Sequence, residues 1–452
     1  MAQLRDLPGL DRIIQDTAIQ EIAARYGLTS VKQALREIQA DLRAEGTAPD
    51  WATDTSAYCA PLHQILRPVR YTPVFNLTGT IIHTNLGRAL LSADLWRDIE
   101  PLVTRPMNLE YDLDAGMRGD RDAVIEQRLC RLIGCEAATI VNNCAAALML
   151  VLNTFALNQK VAVSRGELVE IGGSFRLPEL MQRAGCGLLE VGTTNRTRGS
   201  DYAQVTDEVA MLLKVHPSNY HIAGFTEDVG AAELGQIAAA ASLPSCVDLG
   251  SGSLIDMTRW NLPPEPTPQS ILKQGIDLVA FSGDKLLGGV QAGFIVGAKA
   301  FVDPLRKNPM KRALRLDKVA LAILDATLQL YENPEHLTAK LPLLRTLTLS
   351  EAALLARAET VRAALPAAFI SQIVSSEAQI GSGALPDQNL ASIAVTIRHE
   401  DRSATEIATA LRQLPVPVVG RIKDDLVWLD MHGAEPLDEL TRQLAELSKP
   451  SK

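Results

Sequence analysis

The stretch Phe281-Ser-Gly-Asp-Lys-Leu-Leu-Gly-Gly-Val-Gln-Ala-Gly293 sets one lysine, Lys285, in a glycine-lined turn between two short apolar runs. Ile276-Asp-Leu-Val-Ala-Phe281 before it and Gly293-Phe-Ile-Val-Gly297 after it have the composition of buried strands. The lysine therefore falls at a strand end. An amine between Asp284 and two leucines is easily desolvated, which favours its neutral form and equips it to attack a carbonyl. Glycines let the backbone and a planar ligand approach closely. Most lysines beside glycines are solvated surface groups, so the rest of the chain must decide between that reading and chemistry.

Outward from this turn the chain reads as α/β. Short apolar runs at 138–141, 160–164, 187–191, 210–215, 245–249, 276–281 and 294–296 alternate with helical segments. That alternation predicts a mostly parallel sheet covered on both faces, with ligands beyond the carboxyl ends of its strands. Three such ends carry chemistry. Asn142-Asn-Cys-Ala-Ala-Ala147 opens a helix whose free N–H groups and dipole suit a phosphate, an ordinary capped helix being the plain alternative. Asp248, in Val247-Asp-Leu-Gly-Ser-Gly-Ser253, is a carboxylate in a buried run that needs a partner, and a protonated ring nitrogen is one. Lys285 closes the third. An acid, a helix start and a lysine on neighbouring strand ends are the grips that pyridoxal phosphate needs for its ring nitrogen, phosphate and aldehyde.

A chain of 452 residues is too long for one core. Residues 1–60 read as a helical domain, with helices at 10–26 and 30–43, the second capped by Ser30, and a polar linker at 44–56. This domain has six Lys/Arg and nine Asp/Glu, net −3, so its charge does not mark it as an RNA binder. Residues 61–90 form a linker and a segment whose Asn76, Thr78, His83, Thr84, Asn85 and Arg88 suit a cleft wall, or else a solvated strand and turn. Residues 91–325 are the large domain, and 326–452 a small C-terminal α/β domain with strands at 390–397 and 425–430. In the large domain Arg118 and Arg121 flank a glycine. Residues 305–318 hold six Lys/Arg against one Asp, and Arg312 and Arg315 share a face if helical, as a solvated face or as an anion site. Residues 262–268 read as a rigid, Pro-rich surface loop.

The apolar fraction of 47% and charged fraction of 21% are those of a soluble globular protein. A formal charge of −9 argues against general nucleic-acid binding, so any RNA contact requires a local basic surface. The six cysteines lack a CxxC spacing and read as reduced thiols, with neither a metal site nor a disulfide framework. No signal peptide or membrane span is legible, which predicts a cytoplasmic protein without membrane contact.

The motifs Asn76-Leu-Thr-Gly-Thr-Ile-Ile-His-Thr-Asn-Leu-Gly-Arg88, Ser164-Arg-Gly-Glu-Leu-Val-Glu-Ile-Gly-Gly173, Val191-Gly-Thr-Thr-Asn-Arg-Thr197, Lys214-Val-His-Pro-Ser-Asn-Tyr220, Asp248-Leu-Gly-Ser-Gly-Ser253 and Ser282-Gly-Asp-Lys-Leu-Leu-Gly-Gly289 occur in order. Together they resemble bacterial selenocysteine synthases, the L-seryl-tRNA(Sec) selenium transferases, over nearly the whole chain. Pro217 departs from the small hydroxyl residue expected there. The resemblance implies a fold-type-I pyridoxal-phosphate transferase with Lys285 as Schiff-base lysine, Asp248 on the pyridine nitrogen, and Asn143, Cys144, Ala145 and Ser282 around the phosphate. It implies that Arg88, Arg312 and Arg315 bind selenophosphate, while Asp284, Thr193, Thr194, Tyr220 and Arg121 border the seryl group. The implied reaction converts seryl-tRNA(Sec) to selenocysteinyl-tRNA(Sec) through an aminoacrylyl intermediate, in a ring-shaped homodecamer whose N-terminal domain contacts the tRNA. The alternative is a related lyase acting on a small phosphorylated amino acid or amino sugar. An RNA-binding protein without cofactor chemistry is a third reading, and the intact Lys285 and Asp248 count against it.

Overall fold

The computed structural model describes residues 4–66, 71–171, 175–217, 220–381 and 389–447; Gly172, Gly173, Ser218 and Asn219 of the motifs above lie outside them. The chain divides into two compact units, Met1–Pro73 and Val74–Lys452.

The first unit packs helices Leu10–Ile14, Thr17–Tyr26, Leu28–Ala44 and Cys59–Leu66. Ile19, Ile22, Val31, Leu35 and Ile38, spaced at three, four and seven residues, point into one core with Ile13, Tyr58 and Leu62. Three expectations change here. The single helix at 10–26 breaks at Asp16, whose carboxylate accepts from the Ala18 N–H at 3.0 Å and starts a new helix. The next helix begins at Leu28, directly after Gly27, so Ser30 lies inside its first turn and caps nothing. The expected linker at 44–56 is packed: Ala48 and Ala52 are fully buried, and the Tyr58 hydroxyl donates to the Ala52 carbonyl at 3.0 Å. Small apolar residues among polar ones hide this burial from a composition reading. The helical unit accordingly continues beyond residue 60.

In the second unit seven strands form the main sheet: β1 (Ala137–Val141), β2 (Lys160–Ser164), β3 (Gly187–Val191), β4 (Met211–Val215), β5 (Ser245–Gly250), β6 (Leu278–Ser282) and β7 (Gly293–Gly297). Their order is β1-β7-β6-β5-β4-β2-β3. All neighbouring pairs are parallel except those of β7, which runs antiparallel to both β6 and β1. The short turn carrying Lys285 cannot hold the crossover helix that a parallel return requires, so β7 must come back antiparallel. Leu278, Val279, Ala280 and Phe281 are fully buried, as a strand covered on both faces requires.

A second sheet has the order Phe75–Leu77, Val418–Lys423, Leu426–Asp430, Asn389–Arg398, Ile370–Gly381, Thr80–Ile82. The segment expected as a cleft wall thus supplies both edge strands of the C-terminal sheet. Helices Glu351–Ala364, Ala404–Arg412 and Leu437–Leu444 pack one core against it, built on Val361, Val395, Ile407, Val427 and Leu440. The small domain was expected from residue 326, yet Leu328, Tyr331, Leu337, Leu343 and Leu347 belong to the core of the main sheet. Its own core is built from the Glu351–Ala364 helix onward, together with Phe75 and Leu77 of the first edge strand.

Candidate active site

The two strand ends after β5 and β6 are direct neighbours, and the end of β1 is held next to them by a bare glycine. Gly293 pairs with Val141 on one side and Ser282 on the other. A Cβ on it would fall 2.0 Å from the Asn143 carbonyl oxygen, so only glycine lets the turn after β1 settle against the sheet. β1 is therefore not adjacent to β6, as the strand-end reading implied, but reaches it across β7 at a position without a side chain. Asn143 caps the helix Cys144–Ala156, its side chain accepting from the Ala146 N–H at 2.8 Å. The first N–H groups of that helix remain the expected anion donors.

Asp248 and Lys285 meet at this point. The Cys144 thiol donates to Asp248 Oδ1 at 3.3 Å, and the Gly250 N–H donates to the same oxygen at 3.0 Å. Burial pushes the Asp248 carboxyl above the usual carboxylate range, against the Cys144 hydrogen bond and the nearby Lys285 charge. Burial likewise lowers Lys285, while Cys144 and Asp248 favour its charge and Arg88 opposes it. The Cys144 thiol is raised well above its ordinary value by burial and by Asp248, and it shares a hydrogen bond with Ser282. The lysine is thus biased toward the neutral amine that attacks a carbonyl.

Asp284, beside Lys285, is buried and bonds Arg88 Nη1 at 2.7 Å. Arg88 reaches it from a left-handed backbone position (φ 61°), and the next residue's N–H donates to the Asp284 carbonyl at 3.3 Å. Arg88, expected with Arg312 and Arg315 on an anion, places its Nη1 on Asp284. Arg315 and Arg121 gather on Glu110, at 3.5 and 2.8 Å, and Arg118 joins them at 3.2 Å. The Arg121 hydrogen bond holds Glu110 below the usual range. These groups line a cavity of about 360 Å³ with Lys311 and Arg306. The Asn142 N–H donates to the Leu314 carbonyl at 3.0 Å, tying this basic segment to the helix start. The helix Met310–Ala313 ends before Arg315, so Arg312, which is exposed, and Arg315 do not share a helical face.

Thr193 and Thr194 are exposed after the edge strand β3, and Thr193 bonds only locally, its hydroxyl donating to the Arg196 carbonyl at 3.0 Å. Four strand spacings, ~19 Å, separate β3 from β6. One copy of the chain therefore does not bring them to Lys285 through the sheet. The Tyr220 hydroxyl donates to the Gly166 carbonyl beyond β2, and burial pushes its pKa up to about 12.

Sequence reading missed a polar cluster on the far side of Asp248. The His216 N–H donates to the Asp248 carbonyl at 2.8 Å, and His216 Nε2 lies 3.7 Å from Glu265, which also accepts from the Ser251 hydroxyl. Glu265 is buried, so the Pro-rich loop read as surface points its one acid inward. That single carboxylate among prolines was the available signal. The cysteines hold a smaller surprise: Cys130 and Cys135, at the end of one helix, bring their sulfurs to 3.5 Å.

With this geometry in hand, the comparisons decide the family. The L-seryl-tRNA selenium transferase family matches residues 74–435, and the selenocysteine synthase N-terminal family matches residues 4–43. The chain belongs to the L-seryl-tRNA selenium transferase family. It is 48% identical to the L-seryl-tRNA(Sec) selenium transferase of Serratia proteamaculans, with 97% of each chain covered. It is 44% identical to that of Haemophilus influenzae, covering 99% of this chain and 100% of the relative. Among solved structures, a D-glucosaminate-6-phosphate ammonia-lyase matches with a TM-score of 0.58 at 19% identity, over 85% of this chain and 97% of its own. The architecture of this selenium transferase family member is that of a fold-type-I pyridoxal-phosphate enzyme. The residues present fit the cofactor: a raised, buried carboxyl for the ring nitrogen, a helix start for the phosphate and a desolvated lysine for the aldehyde.

Proposed function

We propose that this chain converts seryl-tRNA(Sec) to selenocysteinyl-tRNA(Sec), with selenophosphate as selenium donor, in the cytoplasm. The observation that carries the reading is the convergence of Lys285, Asp248 and the Asn143 helix start, in a chain alike along its length to transferases of that name. Pyridoxal phosphate supplies an electron sink for removal of the seryl α-proton and loss of the β-hydroxyl. Asp248 would hold its ring nitrogen, Lys285 its aldehyde, and the N–H groups of Cys144 and Ala145 with the Ser282 hydroxyl its phosphate. The Lys285 amine would act as the base at the α-carbon, since desolvation favours its unprotonated form. Asp284, held by Arg88 at 2.7 Å beside Lys285, would border the β-carbon. Arg315 and Arg121, fixed by Glu110, with the exposed Arg312, offer guanidinium forks for a phosphate-bearing donor. Thr193, Thr194 and Tyr220 would border the seryl group. The N-terminal unit would contact the tRNA, and the assembly would be a homodecamer.

The lyase reading has less support. The ammonia-lyase shares the fold at 19% identity, whereas the transferases align over both family regions, including the N-terminal helices. The test mixes purified protein, seryl-tRNA(Sec), selenophosphate and pyridoxal phosphate and assays selenocysteinyl-tRNA. Turnover of a free amino acid without that product would replace this function by the lyase. In the same assay Arg312→Ala is expected to impair selenium transfer more than tRNA binding; equal loss of both would assign Arg312 to RNA.

A further inference from the structure

The C-terminal sheet carries a second feature that the reaction above does not use. Arg421 on one strand donates to the Ser376 hydroxyl at 2.6 Å, although two strands intervene. In a flat sheet Arg421 would lie opposite Gln372 and ~20 Å from Ser376, four residues further along that strand, so the sheet curls with this face inside. Its opposite face packs the helices through Val395, Val427 and Leu429. The concave face holds a groove of about 740 Å³ walled by Trp428, Arg421, Lys423, Ser376, Glu377 and Asn389 among others.

Trp428 stands directly across from Arg421, and Lys423 is two residues along on the same face. Both cations lie over the indole, Arg421 at 5.5 Å and Lys423 at 5.3 Å from the ring centroid. Arg421 spends its donors on the Thr78 carbonyl at 2.9 Å and on Ser376, and among the described residues no carboxylate forms an ion pair with it. Glu377, the one acid of the wall, accepts from Asn389 at 2.8 Å. Asp424 and Asp425 sit in the turn between the two strands and are not part of the wall. Gly79 lets Arg421 cross the groove floor, since a Cβ there would meet its Nη1 at 2.1 Å. An aromatic plane with cations beside it, on a curved sheet face edged by hydroxyls and amides, is the chemistry that holds unpaired nucleotides. The groove shares Gly79 and Thr80 with a cavity of about 390 Å³ that Arg88 also lines, and Arg88 bonds the residue beside Lys285. An acidic chain whose helical N-terminal domain is itself net negative needs such a local surface.

We propose that the concave face around Trp428, Arg421 and Lys423 binds the unpaired 3′ nucleotides of the aminoacylated tRNA, guiding the seryl end toward Lys285. This rests on the tRNA reading above. The test uses full-length, cofactor-loaded protein and two probes, seryl-tRNA(Sec) and the same tRNA trimmed of its unpaired 3′ nucleotides. Trp428→Ala is expected to weaken the intact probe about tenfold, and Trp428→Phe to restore most of that loss. Lys423→Gln is expected to reduce the salt slope of binding by ~0.7. The trimmed probe is expected to bind wild type and Trp428→Ala alike. Unchanged binding of the intact probe by Trp428→Ala and Lys423→Gln would overturn the proposal. So would equal losses on both probes, or a fall in oligomer mass that accounts for the RNA loss and makes the face a subunit contact. Cofactor absorbance and thermal melting verify that the variants fold. Failure of the wild type to bind seryl-tRNA(Sec) at all would instead remove the proposed function.

Discussion

At the residue scale, Lys285 and Asp248 lie close together, and desolvation shifts both toward their neutral forms. Lys285→Ala is expected to lower turnover by roughly 10²–10⁴-fold and to abolish the cofactor absorbance near about 420 nm; a persisting band would mean that another amine holds the cofactor. Asp248 gives a pH signature in the protein stripped of cofactor. Its native carboxyl is raised, so between the usual carboxylate range and the raised value the folded state binds a proton that the unfolded chain does not. Stability therefore falls as pH rises through that window, and above it the burial of the charge is fully unfavourable. Asp248→Asn is expected to melt higher than the cofactor-free wild type at neutral pH, with the difference shrinking toward pH 4, while activity drops about 10²–10³-fold. A lower melting temperature at neutral pH would show that the carboxylate is stabilised by its neighbours. Sequence reading found these two groups because each ends a run of buried strand residues. It missed Glu265 and Glu110, whose partners are set by loops meeting in space.

At the element scale, the site depends on how closely the turn after β1 approaches β7. Gly293→Ala places a methyl against the Asn143 carbonyl and is expected to destabilise the protein by about 1–3 kcal/mol and to weaken cofactor binding. Thermal melting and cofactor titration measure the two effects, and unchanged affinity would show that the helix start does not hold the phosphate. All seven strands of the main sheet were legible as short apolar runs. Strands Ile370–Gly381 and Val418–Lys423 were not, because Ser, Gln, Glu, Arg and Lys interrupt them. The basic run at 305–318 read as one helical face, yet Pro309 and the end of the helix at Ala313 turn Arg315 toward Glu110.

At the scale of the whole molecule, β3 stands at the far edge of the main sheet, with Thr193 and Thr194 just beyond it. In a homo-oligomer that edge can face the Lys285 turn of a neighbouring copy, which would reconcile their implied role with the distance. A Thr193→Ala, Thr194→Ala double variant and Lys285→Ala are each expected to be impaired. Assembled together from mixed subunits, they are expected to recover up to about a quarter of wild-type activity, the statistical share of sites with both parts intact. No recovery would confine the site to one chain.

The residues alone determined what depends on local pattern. Apolar runs of strand length made the sheet, helical periodicity made the N-terminal unit, and the strand ends exposed Asp248, Asn143 and Lys285. The tertiary structure alone decided which of these groups touch. Arg88 reaches Asp284 across 196 positions of chain, and Arg315 reaches Glu110 across 205. Such pairs are chosen by the path of the backbone and by the desolvation of each charge, and neither leaves a local period in the sequence.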